Sequence, residues 1–105
     1  MTIFNRVMGL RRAVIFRKDC SEEQLNYGSV DIESGRKKTP IIINLSLHER
    51  ALPSRTYFHE CLHVLFPKMS EVDIRAMEEA TWQTLTTKQR FLLARKLYNR
   101  KWRGR

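Results

Sequence analysis

Two histidines and a glutamate stand together in the order His59-Glu60-Cys61-Leu62-His63, which is the spacing H-E-x-x-H. On an α-helix, residues four apart lie on one face, so His59 and His63 can direct two imidazoles at one Zn²⁺ ion. Glu60 is then placed to take a proton from a zinc-bound water as that water attacks a carbonyl group. The pattern predicts a metal-dependent hydrolytic site with Glu60 as general base.

The same spacing also arises on a solvated helix that binds no metal. Only three histidines occur in the 105 residues, however, so chance placement of the pattern is rare. Local signals also place it on a helix, because Pro53 and Ser54 predict a helix start with Ser54 as N-cap, and Pro67 predicts an end after Phe66. We therefore favour a metal-binding or catalytic role for this segment.

A third metal ligand is needed, since catalytic zinc usually takes three protein ligands and keeps one position for water. A second helix is predicted to begin at the N-cap Ser70 and to pack antiparallel to the first. Depth along the two helices, at about 1.5 Å per residue, brings the carboxylate of Glu78 near the metal level. The same comparison disfavours Glu71, whose side chain should lean away from the metal. Glu78 is the predicted third ligand.

Helical periodicity supports Glu78 over its neighbour Glu79. At 100° per residue, Glu78 flanks the predicted inner face of this helix, whereas Glu79 points almost opposite to it. That inner face consists of Ile74, Met77, Ala80 and Leu85. The alternative is that Glu78 is only a solvated carboxylate beside the core.

Strands are predicted before the metal helix, at residues 11–18, 27–33 and 41–47. The third is the clearest, because apolar and polar residues alternate in its second half, as expected where one face of a sheet is buried. Ser70 and Asp73 predict the cap of the second helix, which should run to about Leu85. The chain is therefore expected to be α+β, with a small antiparallel or mixed sheet of about three strands followed by three helices.

A basic C-terminal helix completes the prediction, from about Lys88 to Trp102 within residues 87–105. The formal net charge is +9, and no acidic residue follows Glu79. The apolar residues of this helix are expected to pack on the domain: Phe91, Ala94, Leu97, Tyr98 and Trp102. The simpler alternative is that this helix is only structural. In the functional alternative, four basic residues face a polyanion such as nucleic acid: Arg95, Lys96, Arg100 and Lys101.

The length of 105 residues predicts a single domain over residues 1–105. Two cysteines, Cys20 and Cys61, are too few for a disulfide framework and are expected to be reduced thiols. No apolar run approaches the roughly 20 residues that a membrane-spanning helix needs, and the N-terminus lacks the apolar core of a signal peptide. A cytoplasmic protein without membrane contact is expected.

The motif Thr56-x-x-His59-Glu60-x-x-His63, with an apolar strand before it and a helix bearing Glu78 after it, resembles the core of zincin metallopeptidases. It is most similar to the small zincin-like proteins of phages and bacteria, of the gluzincin type. The resemblance implies that His59, His63 and Glu78 bind zinc and that Glu60 acts as base.

The similarity covers roughly residues 27–85, and it implies that residues 41–47 form the edge strand along which a peptide lies. Met69 stands six residues after His63, where a metzincin carries a third histidine, so that branch of the zincins is excluded. Many zincins also use a separate residue to stabilise the oxyanion. His48 and Tyr57 are the available candidates.

Two functions follow from these features. The first is a zinc-dependent metallopeptidase that hydrolyses a peptide or protein substrate through a zinc-bound water. The alternative is a non-enzymatic, metal-stabilised binding protein whose basic C-terminal helix contacts nucleic acid or an acidic partner. Two histidines and one carboxylate also suit iron or cobalt.

Overall fold

The computed structural model of the protein describes residues 2–17, 28–30, 40–44 and 53–99. Within these ranges the chain forms four helices and three strands. In chain order they are α1 (Ile3–Met8), β1 (Val14–Arg17), β2 (Gly28–Val30), β3 (Ile41–Asn44), α2 (Pro53–Leu65), α3 (Glu71–Thr84) and α4 (Thr87–Asn99). The predicted α+β class is confirmed, although α1 before the sheet was not predicted.

The sheet has the strand order β1-β3-β2, so β3 lies between its two neighbours. β1 pairs with β3 in parallel, with Val14 opposite Ile41, and β2 pairs with β3 antiparallel. The expectation that residues 41–47 form an edge strand is therefore wrong for residues 41–44, because both of their edges carry strand partners. Residues 45–47 lie outside the described residues, as do residues 18, 27 and 31–33 of the other two predicted strands, whereas residues 11–13 are described and precede β1.

Helix α2 is the central element of the fold, and it packs against α1, α3, α4, β2 and β3. The apolar residues of α2 recur at helical spacing, so they lie together on one side of the helix, and that side enters the core. That face consists of Tyr57, Phe58, Cys61 and Leu62, each with no exposed surface. The H-E-x-x-H segment is thus carried by the helix that the rest of the domain surrounds.

The ends of α2 differ slightly from the prediction. The helix begins at Pro53, so Ser54 lies inside its first turn and is not the N-cap. Proline is well suited to the first helical position, because its missing N–H would have no partner there. The helix ends at Leu65, one residue before the predicted Phe66, whose position before Pro67 disfavours helical geometry.

The caps of the next two helices follow the sequence signals closely. Ser70 is the N-cap of α3, and its Oγ accepts a hydrogen bond of 3.2 Å from the backbone N–H of Asp73, as predicted. At α4, Thr86 Oγ1 accepts from the N–H of Gln89 at 3.1 Å, and Gln89 Oε1 accepts from the N–H of Thr86 at 2.9 Å. This reciprocal capping box starts α4 at Thr87.

The buried face of α4 differs from the predicted apolar stripe. Leu93 and Leu97 are fully buried, whereas Phe91 and Tyr98 are 64% and 53% exposed. Leu93 and Leu97 are four residues apart and form the inner face; Phe91 and Tyr98 are seven apart and lie together on an outer face. The predicted packing of Phe91 and Tyr98 on the domain is therefore wrong, and Trp102 lies outside the described residues.

At the N-terminal end, Thr2 caps α1 by accepting a hydrogen bond of 3.1 Å from the backbone N–H of Asn5. Val7 of this helix belongs to one hydrophobic cluster that also includes Val14, Ile41 and Ile43 of the sheet. No helix among the described residues is long and apolar enough to cross a membrane.

Candidate metal centre

His59 and His63 lie side by side on α2, as their spacing predicted. Their ring centroids are 4.9 Å apart, and the two rings are inclined at 70°. Both side chains are largely covered by protein, with 15% and 14% of their surface exposed. The two imidazoles are therefore held on one face of a packed helix, next to the start of α3.

The Glu71 carboxylate faces the Nε2 atoms of both histidines. Its Oε1 lies 2.8 Å from Nε2 of His59, and its Oε2 lies 2.7 Å from Nε2 of His63. The prediction that the Glu71 side chain leans away from the histidines was wrong, because depth along two ideal antiparallel helices does not describe the packing at the turn. A glutamate at the first position of α3 can extend sideways across the short turn and reach α2.

Glu78 also meets His59, but at the other ring nitrogen. Its Oε1 lies 2.5 Å from Nδ1 of His59, and its Oε2 accepts a hydrogen bond of 2.6 Å from Nε of Arg55. Glu78 is 14% exposed, whereas Glu79, which also pairs with Arg55, is 56% exposed. The predicted choice of Glu78 over Glu79 as the inward carboxylate agrees with these positions, while zinc ligation by Glu78 stays a prediction.

The inner face of α3 was predicted only in part. Ile74 and the helix-terminal Leu85 are buried and Met77 packs against the core, but Ala80 is exposed. Trp82 takes part in the face instead and is only 4% exposed, with its ring centroid 5.9 Å from that of Phe58.

The carboxylates on both sides of His59 favour its charged form. Burial is the largest single effect and opposes the charge, but the hydrogen bond to Glu78 and the charges of Glu60, Glu71 and Glu78 outweigh it and raise the pKa of His59. A metal at Nε2 would displace only the proton facing Glu71. The Nδ1–H group would still donate to Glu78, which is how carboxylates commonly fix a metal-binding histidine.

The pKa values of Glu71 and Glu78 shift in the opposite direction from that of His59. For both Glu71 and Glu78, burial is the largest single effect and disfavours the anion, yet the pKa is lowered because the neighbouring histidines and arginines outweigh it. Both groups are therefore available as anions at neutral pH. An anionic oxygen is the form in which a carboxylate binds a metal ion.

Glu60 is the buried carboxylate of the site, with 7% of its surface exposed. Burial is the main cause that raises its pKa to about 7, with smaller contributions from Glu71 and Glu78, while the charge of His59 acts against the shift. A general acid–base group works best when its pKa lies near the working pH. Without a metal ion, burial thus brings the pKa of Glu60 close to neutrality.

Two arginines hold the carboxylates that contact the histidines. Arg75 Nε donates a hydrogen bond of 3.1 Å to Oε1 of Glu71, and Arg55 Nε donates to Glu78 as described above. The guanidinium of Arg55 also lies 5.7 Å from the ring centroid of Trp82. Sequence reasoning missed both arginines. The i to i+4 spacing of Glu71 and Arg75 was the one available signal.

The donor set fits a single metal ion. One ligand atom from each of His59, His63 and Glu71 lies within 4.8 Å of the others. Ligands at the usual zinc distance of about 2.0–2.1 Å in a tetrahedral site lie roughly 3.3 Å apart, so small movements would suffice to bind an ion. Two imidazole nitrogens and a carboxylate oxygen leave a fourth position for water or substrate.

The remaining residues to place are the two candidates for oxyanion stabilisation, Tyr57 and His48, and the cysteine of α2, Cys61. Tyr57 is fully buried, so it is not available to stabilise an oxyanion on a bound substrate, and His48 lies outside the described residues. Cys61 lies in the core, on the side of α2 that is turned away from the histidines. Burial raises the pKa of its thiol to about 12.

No protein-family model matches this chain, and no curated protein or solved structure shows a significant match to it.

Proposed function

We propose that this chain is a zinc-dependent metallopeptidase that hydrolyses peptide bonds, with Glu60 as general base. His59 and His63 bind the metal through Nε2, and Glu71 supplies the third ligand. Glu78 orients His59 through Nδ1. The observation that carries the proposal is the convergence of the two Nε2 atoms on one carboxylate, beside the buried Glu60.

The assignment of Glu71 instead of Glu78 rests on which ring nitrogen each carboxylate faces. Histidines four apart on one helix converge most directly through Nε2, the nitrogen farther from the backbone, and Glu71 is the carboxylate at that nitrogen on both rings. Of the two histidines, Glu78 contacts only His59, and its second oxygen accepts a hydrogen bond from Arg55. Glu78 is thus better suited to hold the ring than to bind the metal.

Zinc would polarise the scissile carbonyl group and lower the pKa of a bound water towards neutrality. Glu60 accepts the proton of the attacking water and transfers it to the leaving nitrogen, which needs both an anionic and a protonated form during one cycle. Without a metal ion, burial raises the pKa of Glu60 to about 7, and the charge of a bound zinc would lower it and favour the anion that accepts the proton.

Substrate is expected to approach on the side of Glu71. The histidines are mostly covered, whereas the side chains of Glu71 and Arg75 are 48% and 75% exposed. Val72 beside them is 76% exposed and offers an apolar contact for a substrate side chain. Pairing of a peptide with residues 41–44 of β3 is not part of the proposal, because both edges of that strand are occupied.

The test is a joint measurement of metal and activity on the purified full chain. Metal content is measured by inductively coupled plasma mass spectrometry, and hydrolysis is followed with unfolded fluorescent casein. We expect about one zinc per chain, loss of cleavage with a chelator, and recovery on adding zinc. A folded chain that binds no metal, or cleavage that persists in chelator, would contradict the proposal.

A further inference from the structure

The outer face of α4 carries aromatic and basic side chains in alternation. Lys88, Phe91, Arg95 and Tyr98 follow one another at intervals of three, four and three residues, which places them on one side of the helix. All four are exposed, and Phe91 and Tyr98 are among the most exposed large hydrophobic residues described. We call this set the outer α4 face.

Acidic residues are confined to two of the four described helices. Every acidic residue in the described ranges lies on α2 or α3, where Glu60, Glu71 and Glu78 belong to the candidate metal centre. Helices α1 and α4 contain basic residues and no acidic ones. Within the described residues, neither Lys88 nor Arg95 forms an ion pair, so their charges are not neutralised by a described carboxylate.

A second basic segment lies close to α4. The Nζ atom of Lys96 donates a hydrogen bond to the carbonyl oxygen of Leu10, and α1 packs against α4. Arg11 and Arg12 follow Leu10 directly in the sequence. The N-terminal segment that carries these two arginines therefore lies next to α4.

We infer that the outer α4 face binds single-stranded nucleic acid, independently of the proposed peptidase activity. Bases would stack on Phe91 and Tyr98, whose positions are about 10.5 Å apart along the helix. Arg95 lies between them and Lys88 beyond Phe91, where both can contact phosphates. A basic surface with interspersed exposed aromatic side chains is the arrangement by which proteins bind single strands without reading sequence.

The observations favour a single strand over the other polyanionic or amphipathic partners. In a duplex the base faces are already stacked, so the two exposed aromatic rings would have no partner. An acidic protein would use the charges but not the rings. A membrane surface needs a broad apolar helix face, and the apolar face of α4, with Leu93 and Leu97, is buried in the core.

The experiment measures binding of the full chain to a fluorescein-labelled 20-nucleotide oligothymidylate by fluorescence anisotropy, over a series of salt concentrations. Phe91→Ala removes a stacking platform and should weaken binding at least about fivefold. Arg95→Glu should weaken binding and lower the slope of log K against log salt by about 0.7 for each phosphate that the variant no longer neutralises. Both variants change exposed side chains, and circular dichroism checks that they fold.

Matched controls separate the outer α4 face from general effects. Val72→Ala shortens an exposed apolar residue on α3, and Lys68→Glu makes the same charge change as Arg95→Glu in the turn before α3. Val72→Ala should weaken binding less than Phe91→Ala does, and Lys68→Glu less than Arg95→Glu does. Equal loss in Lys68→Glu and Arg95→Glu, or no effect of Phe91→Ala, would overturn the inference.

The choice of partner is tested with three competitors. Duplex DNA, poly-glutamate and vesicles containing phosphatidylserine are each expected to displace the oligothymidylate much less effectively than the unlabelled single strand does. Equal competition by any one of them, or no binding of the oligothymidylate at low salt, overturns the inference. Zinc content of the Phe91→Ala and Arg95→Glu variants should equal that of the parent chain, which separates this result from the metal centre.

Discussion

Glu78 contacts His59 at Nδ1, with its Oε1 atom 2.5 Å away, and leaves the opposite ring nitrogen, Nε2, to face Glu71. His59 is thus held between two carboxylates with different tasks in the proposed site. One of them would share the metal with His63, and the other fixes the plane and the tautomer of the ring. Because the two glutamates have different proposed roles, mutating each of them should reduce zinc affinity by a different amount.

Zinc affinity should fall more in Glu71→Ala than in Glu78→Ala. Loss of a metal ligand is expected to weaken binding by more than about 100-fold, whereas loss of the carboxylate that orients His59 should cost about 10- to 100-fold. Competition with a chromophoric chelator measures both values, and Glu79→Ala is the control because Glu79 contacts neither histidine in the structure. The reverse order would identify Glu78 as the ligand, as the sequence suggested.

Glu60→Gln should retain zinc and the fold but lose hydrolysis. The amide is nearly isosteric with the carboxylate, yet it cannot accept a proton from water, so kcat should fall by about 100- to 10,000-fold. Cleavage of casein and zinc content are measured on the same preparation. Unchanged turnover in a zinc-loaded Glu60→Gln variant would remove Glu60 from the catalytic assignment.

His63→Ala should lose zinc binding and its stabilising effect together. An ion that binds only the folded chain stabilises it by about 2.7 kcal/mol when free zinc is 100-fold above Kd. The parent chain should therefore show a higher Tm in zinc than in chelator, while the Tm of His63→Ala should be the same in both. A parent Tm that does not respond to chelator would show that no metal contributes to stability.

Cys61 should react very slowly with thiol reagents in the folded protein. Burial raises its pKa to about 12, so at pH 8 only about one molecule in ten thousand carries the thiolate, and the side chain has no exposed surface. A Cys20→Ser variant leaves Cys61 as the reporter, and labelling with Ellman's reagent should require denaturant. Complete labelling within seconds in the native state would mean that the core around α2 opens easily.

Local features of the chain were predictable from sequence alone. The i, i+4 spacing determined that His59 and His63 share one helix face, because this relationship depends only on helical geometry. Ser70 as the cap of α3 is equally local, since a hydroxyl three residues before an N–H can accept its hydrogen bond without help from the rest of the fold. The α+β class followed from the order of these elements.

Tertiary structure decided which side chains meet. Glu71 faces both Nε2 atoms because of the way in which α3 packs against α2 across the turn between them. No residue pattern within either helix predicts that packing. The same limit explains α4, where both the Phe91/Tyr98 side and the Leu93/Leu97 side are apolar enough to be buried. Only the packing of α4 against α1 and α2 selects one face for the core, since helical periodicity places residues on faces but does not choose the face that a neighbour covers.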